Sequence, residues 1–332
     1  MTILVTGAAG FIGYHLCAAL LARGERVVGV DDLNDYYDPA LKRARLARLE
    51  GKTGFAFHRA DIADRDAMAG VVGAAGAAGA EQPLRRIVHL AAQAGVRYSL
   101  VNPMAYVHAN LVGHMVVLEL ARALDGFEHL VYASSSSVYG GNTKLPFAVE
   151  DRVDQPVSLY AATKRADELI SHSYSHLFRL PMTGLRFFTV YGPWGRPDMA
   201  AYLFTDAIVH GRPIVLFNHG DMRRDFTYID DIIAGVVAAL DRPPVAATGL
   251  APHRLYNIGN NRPEPLSRFV AVLEQACGRK AVVELEPMQP GDVRETYADI
   301  AAIRRDLGFE PKTSIDDGLP RFVEWYRRYH GV

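Results

Sequence analysis

The sequence predicts an α/β chain in which a doubly wound parallel sheet is followed by a smaller mixed α/β substrate-binding lobe. Three observations carry this. Short apolar runs alternate with helical periodicity through residues 1–188, a glycine-rich turn joins the first run to the first helix, and after Phe188 the alternation gives way to Gly/Pro-rich loops and short elements. Strands separated by helices form parallel sheets covered on both faces, with right-handed connections. The expected domains are 1–188 and 189–332, with some exchange of strands or helices between them.

The first run, Ile3-Leu4-Val5, enters Thr6-Gly7-Ala8-Ala9-Gly10-Phe11-Ile12-Gly13; a helical pattern continues to about Arg23, and Val27–Val30 ends on Asp31. This βαβ length suits a Rossmann-type dinucleotide site. The three glycines serve a tight turn, close approach to a pyrophosphate and close helix–strand packing, and Phe11 and Ile12 open the helix whose free N–H groups meet phosphate. Asp31 lies 18 residues beyond the last glycine. A carboxylate there accepts both ribose hydroxyls of NAD and repels the 2′-phosphate of NADP, so NAD is the expected cofactor. Asp32 and Asn34 are near enough to assist.

Further along, Phe55–His58 is strand-like and leads to Asp61-Ile62, a candidate contact for the adenine amino group. A helix from Asp64 to about Val72 runs into the Gly/Ala-only segment 73–79, read as helix end plus loop. The strand Ile87–Leu90 enters Ala91-Ala92-Gln93-Ala94-Gly95-Val96-Arg97. Leu90, Ala91 and Ala92 are expected against the nicotinamide ribose, Arg97 is a candidate substrate contact, and His89 reads as a packed strand-end residue. Then come a long helical pattern, Pro103–Leu124, the strand Leu130–Ala133, the cluster Ser134–Ser137, a helix from Tyr160 to about Phe178 and the strand Met182–Phe187. The second lobe holds Asp206–His210, a strand at Ile214–Phe217, and helices near Asp230–Leu240, Ser267–Cys277 and Ile315–Tyr329; no internal repeat is evident.

Tyr160 and Lys164 stand four apart on the predicted helix, hence on one face. A phenol titrates near pH ~10, and an ammonium beside it favours the ionised form that can act as a base. A serine hydroxyl from Ser134–Ser137 would complete a hydrogen-bonded trio.

Bulk properties narrow the classes. Thirty-six Lys plus Arg against 37 Asp plus Glu leave a net charge of −1, which gives no electrostatic case for nucleic acid or an anionic membrane. Cys17 and Cys277 alone imply neither a disulfide framework nor a cysteine metal site. No apolar run is expected to reach the length of a spanning helix, and no leader precedes the first strand, so a cytoplasmic setting is expected.

Taken together, Thr6–Gly13, Asp31, Asp61, the serine cluster and Tyr160/Lys164 resemble the extended short-chain dehydrogenase/reductase family. The stretches His89–Ser99, Thr189–Met199 (TVYGPWGRPDM) and Arg224–Asp231 (RDFTYIDD) look like its UDP-glucuronate 4-epimerase branch. The resemblance covers essentially the whole chain. It implies Tyr160 as base, Lys164 as its electrostatic partner and Ser135, three residues before Val138, as the hydroxyl bridging to the sugar, with Ser136 and Ser137 as further substrate contacts. It also implies Arg224 on the UDP diphosphate and Asp292 on the uridine ribose. The residue three before that Asp, commonly Arg in UDP-galactose 4-epimerases, is Gln289 here, and Arg294 is a candidate substitute. The Pro103–Leu124 and Tyr160–Phe178 helices match those that pair as a four-helix bundle across a homodimer. Val116, Val117 and Leu120 fit either that interface or the monomer core.

The implied reaction is transient oxidation at C4 by tightly held NAD that is regenerated in each turnover, inverting C4 of UDP-glucuronate to give UDP-galacturonate. A 4-ketouronic acid readily loses CO₂, so its carboxylate must be gripped; Thr189 and Arg196 are the candidates. Decarboxylating and dehydrating relatives typically carry an acid just before Val-Tyr-Gly, where this chain has Ser137. The alternatives are a UDP-glucose/UDP-galactose 4-epimerase, a UDP-glucuronate decarboxylase, and a non-catalytic NAD-binding sensor.

Overall fold

In the computed structural model, which describes residues 1–77, 83–245, 248–289 and 293–332, the chain forms two compact units. Unit 1 comprises Met1–Gly141, Arg152–Arg186 and Gly235–Tyr256; unit 2 comprises Asn142–Asp151, Phe187–Ala234 and Asn257–Val332. Thus residues 142–151 and 235–256 lie across the expected 188/189 division.

Unit 1 is built in chain order from β1 (Thr2–Thr6), α1 (Phe11–Ala22), β2 (Arg26–Asp31), α2 (Pro39–Ala47), β3 (Phe55–Arg59), α3 (Arg65–Ala77), β4 (Leu84–His89) and α4 (Tyr98–Val101). There follow α5 (Pro103–Tyr106), a π-helical segment (Val107–Val112), α6 (Gly113–Ala123), β5 (His129–Ser135), α7 (Leu159–Phe178) and β6 (Met182–Phe187). The first five strands pair in parallel, and β1 lies between β2 and β4. That reversal of strand order is where an open α/β sheet leaves a crevice for a ligand.

Each unit-1 strand foreseen from the apolar runs is present. The sheet nevertheless has a seventh strand, β10 (His253–Ile258), in the order β10-β6-β5-β4-β1-β2-β3. The added edge strand comes from His253–Ile258, beyond the change of texture. Helix α3 extends to Ala77 rather than to about Val72 because alanine favours helix strongly enough to carry Gly73 and Gly76; residues 78 and 79 lie outside the described residues. The expectation about spanning helices needs correction: α5, the π segment and α6 run on as one 21-residue helix, Pro103–Ala123, long and apolar enough by composition to cross a membrane. In the fold it packs against α3 and α7, with Val117, Leu118 and Ala121 in the core.

Unit 2 holds β7 (Thr189–Tyr191), α8 (Ala200–His210), β8 (Pro213–Leu216), β9 (Arg223–Tyr228) and α9 (Ile229–Leu240), which continues into unit 1. Beyond β10 (His253–Ile258) come β11 (Pro263–Pro265), α10 (Leu266–Cys277), β12 (Val282–Leu285), β13 (Glu295–Thr296), α11 (Ala301–Leu307) and α12 (Ile315–His330). Strand β9 is central, pairing with β7, β11 and β13. Its Phe226 stacks on Phe269 of α10 at 4.1 Å between ring centres.

Candidate active site

The glycine loop is built by close backbone approach. A Cβ on Gly13 would sit 2.0 Å from the Gly7 carbonyl oxygen, and one on Gly7 would meet the Ala91 nitrogen at 2.8 Å. Helix α1 begins directly after Gly10 with no acidic residue in its first turn, so its N–H groups face an unopposed anion site. Asp31 ends β2 and is 6% exposed. Its oxygens accept from Ala9 N–H (3.1 Å) and Leu33 N–H (2.9 Å). Burial raises this carboxyl, and the Lys42 ammonium 3.5 Å away opposes that most strongly. Lys42 also donates to Asn34 Oδ1 (3.1 Å), while buried Arg45 donates to the Ala9 carbonyl (3.0 Å) and the Tyr37 hydroxyl (2.7 Å). Asp32 is taken by Asn34 and its own turn. The α2 cations Lys42 and Arg45 were not singled out from sequence; a cation-rich helix just after the acid is the signal that could have found them.

Asp61 caps its own turn through Ala63 N–H (2.9 Å) and bonds His108 Nε2 at 2.7 Å. Ile62 behaves differently: its side chain is in the core against Gly113, leaving its main chain to meet a ligand. The β4 end is tied to the glycine strand, with Leu90 N–H on the Thr6 carbonyl (3.2 Å) and Ala91 N–H on Thr6 Oγ1 (3.2 Å). His89 is buried and bonds Thr6 Oγ1 at 2.7 Å, the packed role expected of it. Arg97 is exposed at the start of α4, near Ala92 in sequence.

Tyr160 and Lys164 occupy the first turns of α7, which Ser158 caps through Ala161 N–H. Lys164 is buried, and its ammonium is 3.0 Å from Asp167 Oδ2. The sequence reading placed that charge with the phenol alone and did not foresee the carboxylate one turn on. The π segment brings Asn110 inward. Its amide accepts from Gln93 N–H (2.8 Å) and donates to the Gln93 carbonyl (3.1 Å) and to Thr163 Oγ1 (2.9 Å), which in turn donates to the Tyr160 carbonyl (2.9 Å). Asn110 therefore ties the 91–97 loop to the Tyr160 helix. The edge of Tyr106 faces the Tyr160 ring, with centres 6.1 Å apart.

In the serine cluster, Ser134 donates to Glu168 (2.6 Å), while Ser135 Oγ accepts from Ser137 N–H (3.1 Å) and so caps the turn 136–139. Ser136 and Ser137 are half-buried. These residues, the Tyr160/Lys164 pair and the glycine loop all belong to unit 1.

Unit 2 carries the other predicted residues. Thr189 opens β7 opposite Phe226, and Arg196 lines the same small cavity, together with Tyr191 and Gly192. Arg196 forks Asp198, Nε to Oδ1 at 3.0 Å and Nη2 to Oδ2 at 2.5 Å. Arg224 donates to the Arg223 and Arg294 carbonyls, each at 3.0 Å, and Arg294 immediately precedes β13, whose Thr296 pairs with Arg224 in the sheet. The Arg294 guanidinium pairs with Asp221 at 2.8 Å. Gln289 is half-buried in the preceding loop, and Asp292 lies outside the described residues.

The profile of the NAD dependent epimerase/dehydratase family matches residues 3–259. The chain belongs to that family. It is 48% identical to a probable UDP-glucuronate 4-epimerase of Rhizobium meliloti over 99% of both chains. It is also 48% identical to UDP-glucuronate 4-epimerase 4 of Arabidopsis thaliana, over 99% of this chain and 76% of the plant protein. The structure of UDP-glucuronic acid 4-epimerase from Bacillus cereus in complex with UDP-glucuronic acid and NAD superposes with a TM-score of 0.89 at 34% identity, covering 99% of this chain and all of that one. The glycine cradle that a Cβ would fill, the bare start of α1 and the buried Asp31 fit the NAD on which the family depends.

Proposed function

We propose that the chain is a UDP-glucuronate 4-epimerase, interconverting UDP-glucuronate and UDP-galacturonate through a transient 4-keto sugar. The observation that carries the chemistry is Tyr160 one helical turn before the buried Lys164, on a helix tied by Asn110 to the loop beside the glycine cradle. NAD, when bound, supplies an acceptor and then a donor for the hydrogen at C4. Tyr160 takes the proton from the C4 hydroxyl and returns it after the sugar has turned over; Lys164 stabilises the phenolate. Ser135 holds the hydroxyl in line with the phenol, and Ser136 and Ser137 contact the sugar. Arg224 and Arg294 neutralise the diphosphate, anchoring UDP while the sugar reorients.

An acidic sugar is favoured over a neutral one by Arg196, whose fork already holds a carboxylate, that of Asp198. With Thr189 lining the same cavity, Arg196 would fix the uronate and hold its C–C bond out of alignment for CO₂ loss. The test is NMR of the purified protein with UDP-glucuronate. UDP-galacturonate at equilibrium is expected; a UDP-pentose, or unchanged substrate, would defeat the reading.

Assembly as a homodimer through α5–α6 and α7 is part of the proposal. Of the residues first considered, Val117 is in the core, and Val116 and Leu120 pack against it with part of their surface still exposed. The interface rests on exposed Met104, Leu169 and Leu177 of these helices, with exposed Leu100 and Val101 on the adjoining α4. A dimer mass in solution that Leu169→Glu reduces to a monomer is expected; a monomeric parent would contradict it. Buried, unpaired Cys17 and Cys277 support a cytoplasmic setting.

A further inference from the structure

Lys164 has a neighbour on each side along one face of α7: Tyr160 four residues before it and Asp167 three residues after. The lysine is 3% exposed and Asp167 1%, with Nζ and Oδ2 3.0 Å apart. We propose that Asp167 is a positioning residue for the C4 chemistry, holding the Lys164 ammonium charged and offsetting part of the field that ammonium exerts on the Tyr160 phenol. This rests on Tyr160 acting as the base.

The groups packed around Lys164 leave Asp167 as its counter-charge among the described residues. On α7 itself, Glu168 is committed to Arg186 from β6 and to Arg165. From β4, burial holds His89 far below the ordinary imidazole range, and from α6, burial lowers His114, so both are neutral at pH 7. From β5, burial raises Tyr132 well above its ordinary value, so it too is neutral. The other Asp167 oxygen, Oδ1, and His114 Nδ1 are both buried without a hydrogen-bond partner among the described residues.

The sign of the effect follows from charge. A buried ammonium without a counter-ion tends to shed its proton, and a nearby negative charge makes a phenol harder to ionise. Removing the Asp167 charge therefore lowers the pH at which lysine and tyrosine each release a proton. Both limbs of the rate profile should therefore shift.

The experiment is kcat against pH for the NAD-loaded parent, Asp167→Asn and Asp167→Glu, with UDP-glucuronate. The Asn variant should move the whole bell to lower pH, the alkaline limb by about one unit, as loss of a contacting opposite charge implies; Glu should restore it. A bell of any height that stays in place overturns the proposal. A readout free of substrate accompanies it: phenolate absorbance of each protein minus that of its Tyr160→Phe counterpart, titrated with NAD bound. The Asn variant should show the lower midpoint, and equal midpoints would overturn the inference. If the parent fails to convert UDP-glucuronate, the epimerase reading falls and the absorbance titration still decides the role of Asp167. Should the Asn variant not fold, Asp167→Ser is read in the same way.

Discussion

Glu168 on α7 and Arg186 on β6 meet as a double hydrogen bond, Nε to Oε1 at 2.8 Å and Nη2 to Oε2 at 2.9 Å, with both side chains out of water. The same carboxylate accepts from Ser134 and Arg165, and Arg186 donates to the Tyr139 hydroxyl at 3.0 Å. The buried fork thus joins the helix of Tyr160 to β6, and through Ser134 the same carboxylate holds the end of β5, which delivers the serine cluster.

Glu168→Gln should cost about 3–5 kcal/mol in denaturant unfolding, because it takes the carboxylate charge away from the buried Arg186 guanidinium. Burial would raise the Glu168 carboxyl, but the Arg186 fork, with Ser134 and Arg165, brings it below its ordinary 4.5. Its stabilisation is complete above that ordinary value and is lost as pH falls through the lowered one. The parent should therefore lose more stability than Glu168→Gln as the pH falls below 4.5, as read from Tm against pH.

Asp225 should show the opposite slope. It is wholly buried on β9 and accepts from the N–H groups of Asn260, Asn261 and Ala298 and from Thr227. Burial pushes its carboxyl up to about 6 against those hydrogen bonds. The folded state then keeps a proton that the unfolded state releases near 3.8, so this group's contribution falls as pH rises from there to about 6. A carbon-detected NMR titration should place the Asp225 midpoint near 6. Asp225→Asn, which turns an amide NH₂ toward those donors, should cost about 1–3 kcal/mol.

Asp31→Asn should weaken NAD binding about tenfold, the equivalent of one charge-assisted hydrogen bond. It should also narrow the preference over NADP, since the carboxylate that opposes a 2′-phosphate is gone while the Lys42 charge stays. Fluorescence titration with both cofactors checks this; an unchanged NAD/NADP ratio would remove Asp31 as the selecting residue.

Arg196→Ala should lower kcat/KM for UDP-glucuronate by about ten- to a hundredfold, the loss of a charged fork. Released CO₂ should accompany the remaining turnover. Full epimerisation without added decarboxylation would free Arg196 of the carboxylate role.

What the sequence disclosed was whatever short spacing encodes. Gly7–Gly13, Asp31 and the Tyr160/Lys164 pair lie within single βαβ or helical stretches, where distance along the chain stands in for distance in space. Partners brought together by the sheet stayed hidden: Asn110 finds Gln93 and Thr163 from 17 and 53 residues away, and Glu168 finds Arg186 across 18. Asp167 was one turn from Lys164 and still passed unnoticed, because an i,i+3 charge pair usually marks a solvated helix face and only burial gives this one weight. Strand β10 escaped because His253-Arg254-Leu255 opens it with polar residues at a sheet edge, without the continuous apolar run of the central strands.

The central claim is that the C4 hydrogen leaves the sugar and returns to it within one turnover. UDP-glucuronate deuterated at C4, converted by the purified protein in ordinary water, tests it directly. The account predicts UDP-galacturonate with the deuterium kept at C4 and no net change in the cofactor's redox state. Loss of the label to solvent, or a labelled UDP-pentose in place of the uronate, would contradict it.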